Sequence, residues 1–257
     1  MITKPLILIT NDDSIHAPGL RKLITSVEGL GRILVMAPNK PQSGQGHALT
    51  VEEPLRIYLQ RSDDDYTEYA CSGTPADCIK MATQQILERK PDLILSGVNH
   101  GANTSVNAIY SGTIAAVIEG CMMGIPAIGF SLNDNGWKAD LSHIGDYIRQ
   151  ITENVIADGL PDYVCLNVNF PAKNAEPIRG IRVCHQGLGE WSEDFEKRID
   201  PQGRDYYWIK GVYKYNDPRP DTDIIAIREN YVSIVPTMFD WTAKNMVEPF
   251  KKRFQNV

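Results

Sequence analysis

Leu6-Ile7-Leu8-Ile9-Thr10-Asn11-Asp12-Asp13-Ser14-Ile15-His16-Ala17-Pro18-Gly19 is a run of branched apolar residues that breaks into a polar loop carrying two adjacent carboxylates. An apolar run without polar alternation reads as a strand buried on both faces, the kind found in parallel sheets covered by helices. Ligands of such sheets gather at the carboxyl ends of the strands. Asp12 and Asp13 stand at such an end, where they repel one another in a partly desolvated place, and a bound divalent cation is the simplest relief. Taken alone, Asn11-Asp12-Asp13 would equally suit a turn, because these side chains hydrogen-bond nearby backbone. The other loops of the chain decide between the two readings.

Further apolar runs at 33–37, 93–96, 127–130 and 163–168 alternate with helical stretches at 19–27, about 75–88, 113–123 and about 141–157. Such alternation predicts an α/β fold: a three-layer, Rossmann-like core with a mainly parallel sheet joined by helical crossovers. Ser-Gly-Thr precedes or opens two of these helices, at 72–74 and 111–113, and suits a helix start. From Ile178 onward the pattern changes to short aromatic-rich segments (205–209 and 231–235), a proline-rich stretch at 216–220 and an amphipathic end at 241–254. The expectation is one domain over 1–257, with a core to about residue 185. A C-terminal β-hairpin arm and terminal helix, about 186–257, would then serve oligomerisation.

The 257 residues, 42% hydrophobic and 23% charged, match an ordinary globular protein. A net charge of −6 argues against nucleic acid or anionic membrane as partner. No apolar stretch is long enough to span a bilayer, and Met-Ile-Thr-Lys-Pro runs into a strand instead of resembling a cleavable signal, so a cytoplasmic setting is expected. Five cysteines without a C-x-x-C pair read as small buried hydrophobes, not as a disulfide framework or zinc site.

Three further loops carry polar residues suited to one site. Ala37-Pro38-Asn39-Lys40-Pro41-Gln42-Ser43-Gly44 offers the neutral oxygen of Ser43 to a hard cation and a glycine that lets backbone approach an anion. Ser96-Gly97-Val98-Asn99-His100-Gly101-Ala102-Asn103 offers the carbonyl of Asn99, and a histidine readable as ligand, acid-base group or neither. Tyr110-Ser111-Gly112-Thr113 leads into a helix whose free N–H groups suit a phosphate, although plain N-capping explains the same residues. The segment 71–77 opens another helix and would either line the site or cap. Two aspartates, an asparagine and a serine make an oxygen-only shell that suits magnesium or manganese better than zinc. P-loop, dinucleotide, H-E-x-x-H and G-x-S-x-G signatures are absent.

In this order, residues 7–20, Ala37-Pro38 ahead of Ser43-Gly44, 72–77, 96–103 and 110–113 resemble the SurE survival-protein nucleotidases, with a clear match over about 5–130. The resemblance implies a metal-dependent phosphatase acting on nucleoside 5′- and 3′-monophosphates, and for some members short polyphosphate. It also implies a Rossmann-like core and a homodimer or homotetramer built by exchanged C-terminal elements. By position, Asp12, Asp13, Ser43 and Asn99 would hold one divalent cation per subunit, magnesium or manganese, with Asp12 and Asp13 catalytic. Asn11, Gly44, Asn103, Ser111, Gly112 and Thr113 would surround the phosphate. Ser14 stands where the family usually has glycine, and His100 where small residues are frequent. Two other readings compete: a metal-dependent nucleotide-binding or sensing module that does not hydrolyse, and a signalling domain phosphorylated on Asp12 or Asp13. The latter needs a lysine and threonine that cannot be placed in the later strands. Because the aromatic segment 206–215 and the end containing Trp241 and Phe250 carry more apolar surface than a lone arm should expose, light scattering at micromolar concentration is expected to give at least a dimeric mass; a monomeric mass rejects that expectation.

Overall fold

Ile7 and Ile9 pack into one apolar layer and Leu8 into another, so the opening strand is wrapped from both sides. The computed structural model describes residues 4–255. Strand β1 (Leu6–Thr10) is buried at every position. Leu93 and Leu95 of β5 (Leu93–His100) join the first layer and Ile94 the second, the same two-residue alternation. Helices α1 (Pro18–Val27) and α5 (Gly145–Asp158) cover the first face through Leu20, Leu23, Ile148 and Ile151. Helices α2 (Pro75–Met81) and α4 (Gly112–Met122) cover the second through Cys78, Ile79, Ala116 and Val117. A four-residue turn of helix, α3 (Asn107–Tyr110), precedes α4. The five cysteines are buried and free.

Among the described residues nine strands form one sheet in the order β3-β4-β2-β1-β5-β6-β7-β11-β8. The additional strands are β2 (Arg32–Pro38), β3 (Ile57–Asp63), β4 (Tyr66–Cys71), β6 (Ala127–Leu132), β7 (Cys165–Phe170), β8 (Ile181–Val183) and β11 (Val232–Thr237). From β4 through β7 the neighbours are parallel. Antiparallel partners are added outside them, β3 on β4 and β11 on β7. The chain builds outward from β1 to β2 and β4 in one direction and, through β5, to β6 and β7 in the other. The crevice beyond the ends of β1 and β5 is therefore the topological switch point, the standing ligand position in such sheets. No described helix is long and apolar enough to cross a membrane.

Several elements differ from the sequence expectation. The β3–β4 hairpin was not foreseen, because β3 is exposed along nearly its whole length and its residues Gln60, Arg61, Ser62 and Asp63 carry no apolar alternation. The arm is a two-stranded ribbon of β9 (Gly189–Ile199) and β10 (Asp205–Tyr215), twice the length that the aromatic segment 205–209 suggests. After it, the short helix α6 (Asp223–Arg228) and β11 return to the main sheet, so the core extends to Thr237 instead of stopping near residue 185. The terminal helix α7 covers Val247–Phe254. The helix expected from about 141 begins at Gly145, and α2 ends at Met81 in a wider turn over Ala82–Ile86.

One close approach ties fold to function. Gly19, in the first turn of α1, lies where a Cβ would be 1.9 Å from the carbonyl oxygen of Val98 and 3.3 Å from Cε1 of His100. The backbone on both sides cannot yield cheaply. Gly19→Ala is therefore expected to destabilise the protein by about 3 kcal/mol or more and to displace the loop after β5, read as a fall in melting temperature; an unchanged melting temperature would contradict this packing.

Candidate active site

Asp12 and Asp13 follow β1 after one intervening residue, Asn11, and both are buried. The turn carrying them is held from below: Asn11 donates from Nδ2 to the carbonyl of Ser14 at 2.8 Å. It is also held from the side, where the N–H of Ile15 donates to the carbonyl of Pro38 at 2.8 Å. Ser14 has a φ of +97°, the left-handed region that favours glycine. Asn11 is fully buried beneath the turn and does not line the cleft above it.

Each carboxylate is oriented by one neighbouring side chain. Thr113 Oγ1 donates to Asp12 Oδ1 at 2.6 Å, and the Thr113 N–H also supports this carboxylate. Gly112 makes that approach possible, because a Cβ there would lie 2.8 Å from Asp12 Cβ. Asp13 Oδ2 faces both the backbone N–H and Nδ1 of His100, each at 3.0 Å. A proton on Nδ1 is what lets the ring donate to that carboxylate. The His100 ring stacks on Trp137 with centroids 5.5 Å apart. His100, ambiguous in the sequence, thus orients Asp13; it lines the cleft described next, whereas Asp13 does not.

The remaining loops converge on Asp12. A cleft of about 320 Å³ is lined by Asp12, Ser43, Gly44, Asn99, Asn103 and Ser111, together with neighbours from the same loops and Trp191. The Ser43 loop is tied down where the Gln42 N–H donates to the carbonyl of Asp12 at 2.8 Å and the Gly46 N–H to that of Tyr110 at 3.0 Å. It is also anchored by His47 Nε2, 2.8 Å from Glu119 Oε1 of α4. Asn99 spends its amide nitrogen on the carbonyl of Gly101 at 2.6 Å, which leaves its carbonyl oxygen for the cleft. Asn103 is held by Ser131, Asn167 and Asn169. Ser111 is the N-cap of α4, accepting from the Ile114 N–H at 3.1 Å. Gly112 and Thr113 do not line the cleft, and the Thr113 hydroxyl is taken by Asp12, so their contribution is to hold that carboxylate. The segment 71–77 caps: Thr74 and Asp77 form a reciprocal capping box at the start of α2, and none of it lines the cleft.

Electrostatics set the aspartates apart from other buried acids. Glu68 faces Arg21, Glu119 faces His47 and Lys80, and Asp217 faces Arg219. Among the described residues no lysine or arginine pairs with Asp12 or Asp13, whose one ion-pair neighbour is His100. Burial, with Thr113 opposing and the adjacent Asp13 charge adding, pushes the Asp12 carboxyl up to about 6. Two adjacent carboxylates without lysine or arginine, on a loop that shares an edge with the oxygens of Asn99 and Ser43, have the chemistry of a hard-cation site. Among the described residues no three His, Cys, Asp or Glu side chains gather to hold a metal, so such a site must draw on serine and asparagine oxygens.

Fold and cleft together define a doubly wound α/β protein with an acidic, oxygen-rich site at the switch point of its sheet. The family described as Survival protein SurE matches residues 7–193. The chain is 51% identical to the 5′-nucleotidase SurE of Christiangramia forsetii over 247 residues, 95% of each chain, and 49% identical to that of Flavobacterium psychrophilum over 248 residues, 96% of each. The crystal structure of the SurE protein from Aquifex aeolicus superposes with a TM-score of 0.81 at 37% identity, covering 97% of this chain and 99% of that one. This chain belongs to the SurE family.

The raised Asp12 pKa has a consequence for stability. With a folded value of about 6 against 3.8, the folded protein holds the proton more tightly, so the stabilisation this confers is complete below pH 4 and lost as pH rises through 6. Ionised Asp12 therefore costs roughly 3 kcal/mol at neutral pH, at ~1.4 kcal/mol per unit. In EDTA, Asp12→Asn is expected to melt higher than wild type at pH 8 and close to it at pH 4.5; a variant less stable than wild type at pH 8 would refute the electrostatic reading.

Proposed function

We infer that this chain is a 5′-nucleotidase, a phosphomonoesterase that releases phosphate from nucleoside monophosphates. The observation that carries the reading is the name 5′-nucleotidase SurE on relatives about half identical over nearly the full length, joined to a cleft where Asp12, with Asp13 next to it in the chain, meets neutral oxygen donors. Nucleoside 3′-monophosphates and short polyphosphate are included in the proposed range.

Asp12, Asp13, Asn99 and Ser43 would hold one divalent cation, magnesium or manganese, and the hardness of four oxygens supports that choice. Bound there, such an ion offsets charge on the phosphoryl oxygens and lowers the pKa of water. The chain supplies the rest. Thr113 and His100 fix the two carboxylates, so that they need not reorganise during reaction. Ser111, Gly44 and Asn103 face the same space and are assigned to the phosphate. Asp12 either attacks phosphorus itself or orients and deprotonates the attacking water, and both routes depend on the one carboxylate. The exposed apolar residues of the β9–β10 ribbon, Phe195, Ile199, Trp208, Ile209 and Val212, support assembly as a homodimer or homotetramer. The net charge of −6 supports the absence of nucleic acid or membrane partners and is compatible with a cytoplasmic setting.

Purified protein incubated with AMP, GMP or p-nitrophenyl phosphate is expected to release phosphate with magnesium or manganese and to stop with EDTA. Asp12→Asn is expected to lower kcat at least a thousandfold, on the order seen when a central catalytic group is removed. Stoichiometric nucleotide binding without phosphate release would instead identify a binding or sensing module.

A further inference from the structure

His100 is held in a way that the acidic cleft alone does not explain. Its side chain is only 4% exposed, and its backbone N–H and Nδ1 both face Asp13 Oδ2 at 3.0 Å. Nε2 of the same ring is buried and has no hydrogen-bond partner among the described residues. A buried polar atom left unpaired costs free energy, so an unconstrained imidazole would turn that nitrogen toward water. Two neighbours oppose such a turn. The first turn of α1 lies against one edge of the ring, where a Cβ on Gly19 would be 3.3 Å from Cε1. The indole of Trp137 covers a face, with ring centroids 5.5 Å apart and planes 27° apart.

Trp137 has no evident duty elsewhere. It is 51% exposed, belongs to neither large apolar layer and does not line the acidic cleft. Among the described residues His100 is the only ring it stacks on, and its indole N–H meets no acceptor. It sits in the turn after β6, which is pinned to the sheet and to itself. The Asn133 N–H donates to the carbonyl of Phe170 at 2.9 Å, the Gly136 N–H to Asp134 Oδ1 at 2.8 Å and the Ala139 N–H to the carbonyl of Gly136 at 2.9 Å. A large apolar side chain is therefore carried on a fixed turn to the imidazole that orients Asp13.

We propose that Trp137 is a positioning residue for the cation site: its indole keeps the His100 ring against Asp13 and thereby sets how tightly the divalent cation is held. The proposal rests on the reading of Asp12, Asp13, Asn99 and Ser43 as the cation's ligands. The stacked indole keeps competing water from the hydrogen bond between His100 and Asp13, and a bond in such low-dielectric surroundings is stronger than one in water. Released from that bond, Asp13 regains rotamers that point its oxygens elsewhere, and a carboxylate that must be reoriented holds metal less tightly. Because Trp137 itself does not reach the cleft, its effect falls on affinity and not on the chemical step.

The test measures manganese binding to the purified protein by electron paramagnetic resonance of the free ion, a readout that needs no turnover. Trp137→Ala is expected to raise Kd for manganese about tenfold, the lower end of the range for lost orienting groups, and Trp137→Phe to recover most of the loss. With manganese raised to saturation, kcat for AMP in Trp137→Ala should match wild type. His100→Ala should weaken binding at least as much, and adding Trp137→Ala to it should change nothing further, because the indole acts through the ring. Melting curves check that each variant is folded. If Trp137→Ala is not, Trp137→Leu, which keeps apolar bulk without an aromatic face, takes its place; if His100→Ala is not, the Trp137 variants decide alone. An unchanged Kd in the folded Trp137 variants, a kcat that stays low at saturating manganese, or a Trp137 effect as large without His100 as with it overturns the positioning role while leaving the cation site intact. Wild-type protein that binds no manganese overturns the cation reading and this inference together.

Discussion

Two neighbouring carboxylates held without lysine or arginine, with a single histidine facing one of them, at the end of a strand buried on both faces, set the terms for the rest of this molecule. The chain neutralises its other buried acids with arginine, lysine or histidine, or caps them with backbone N–H groups, as with Asp223. At Asp12 it supplies one hydroxyl and backbone N–H groups, and burial pushes the carboxyl up to about 6. Stability is given up at the place proposed for the cation and the phosphate, a familiar exchange between a destabilised site and activity.

Maintaining that arrangement accounts for local features that would otherwise look unrelated. Gly19 lets α1 press against the strand that delivers Asn99 and His100, and Gly112 lets the start of α4 reach Asp12. The Thr113 hydroxyl takes one oxygen of Asp12, which lines the cleft, and the His100 ring takes one oxygen of Asp13. Glu119, though on α4 and outside the cleft, holds His47 and with it the loop bearing Ser43. Orienting groups of this kind behind metal-ligating side chains typically govern affinity by one to two orders of magnitude. The strained backbone of Ser14 belongs to the same turn, where the rigid fold maintains a conformation the residue does not favour.

What could be read from the sequence follows from where burial lies. Strands β1 and β5 sit between two helical layers, so burial on both faces wrote continuous apolar runs that announced them. Strands β3 and β9 pair with their neighbours through backbone, and polar sequences such as Gln60 to Asp63 and Glu196 to Arg198 leave no periodic apolar trace of that. The return of β11 to the sheet was hidden because its pairing with β7 joins segments some seventy residues apart. Asp12, Ser43 and Asn99 were legible as one site because each follows a predicted strand of a parallel sheet, whose carboxyl ends share an edge. The hydroxyl of Thr113 was not, since a threonine at a helix start serves equally as a cap. Trp137 and His100 come together only through the third dimension.

The account turns on whether one hard cation is caged by oxygens from these separate loops. Anomalous diffraction from crystals soaked in manganese measures this directly. A single manganese peak per chain bounded by Asp12, Asp13 and Asn99, with Ser43 beside it, is the predicted result. Manganese bound elsewhere, or the two aspartates turned toward bulk solvent with no peak between them, would contradict it.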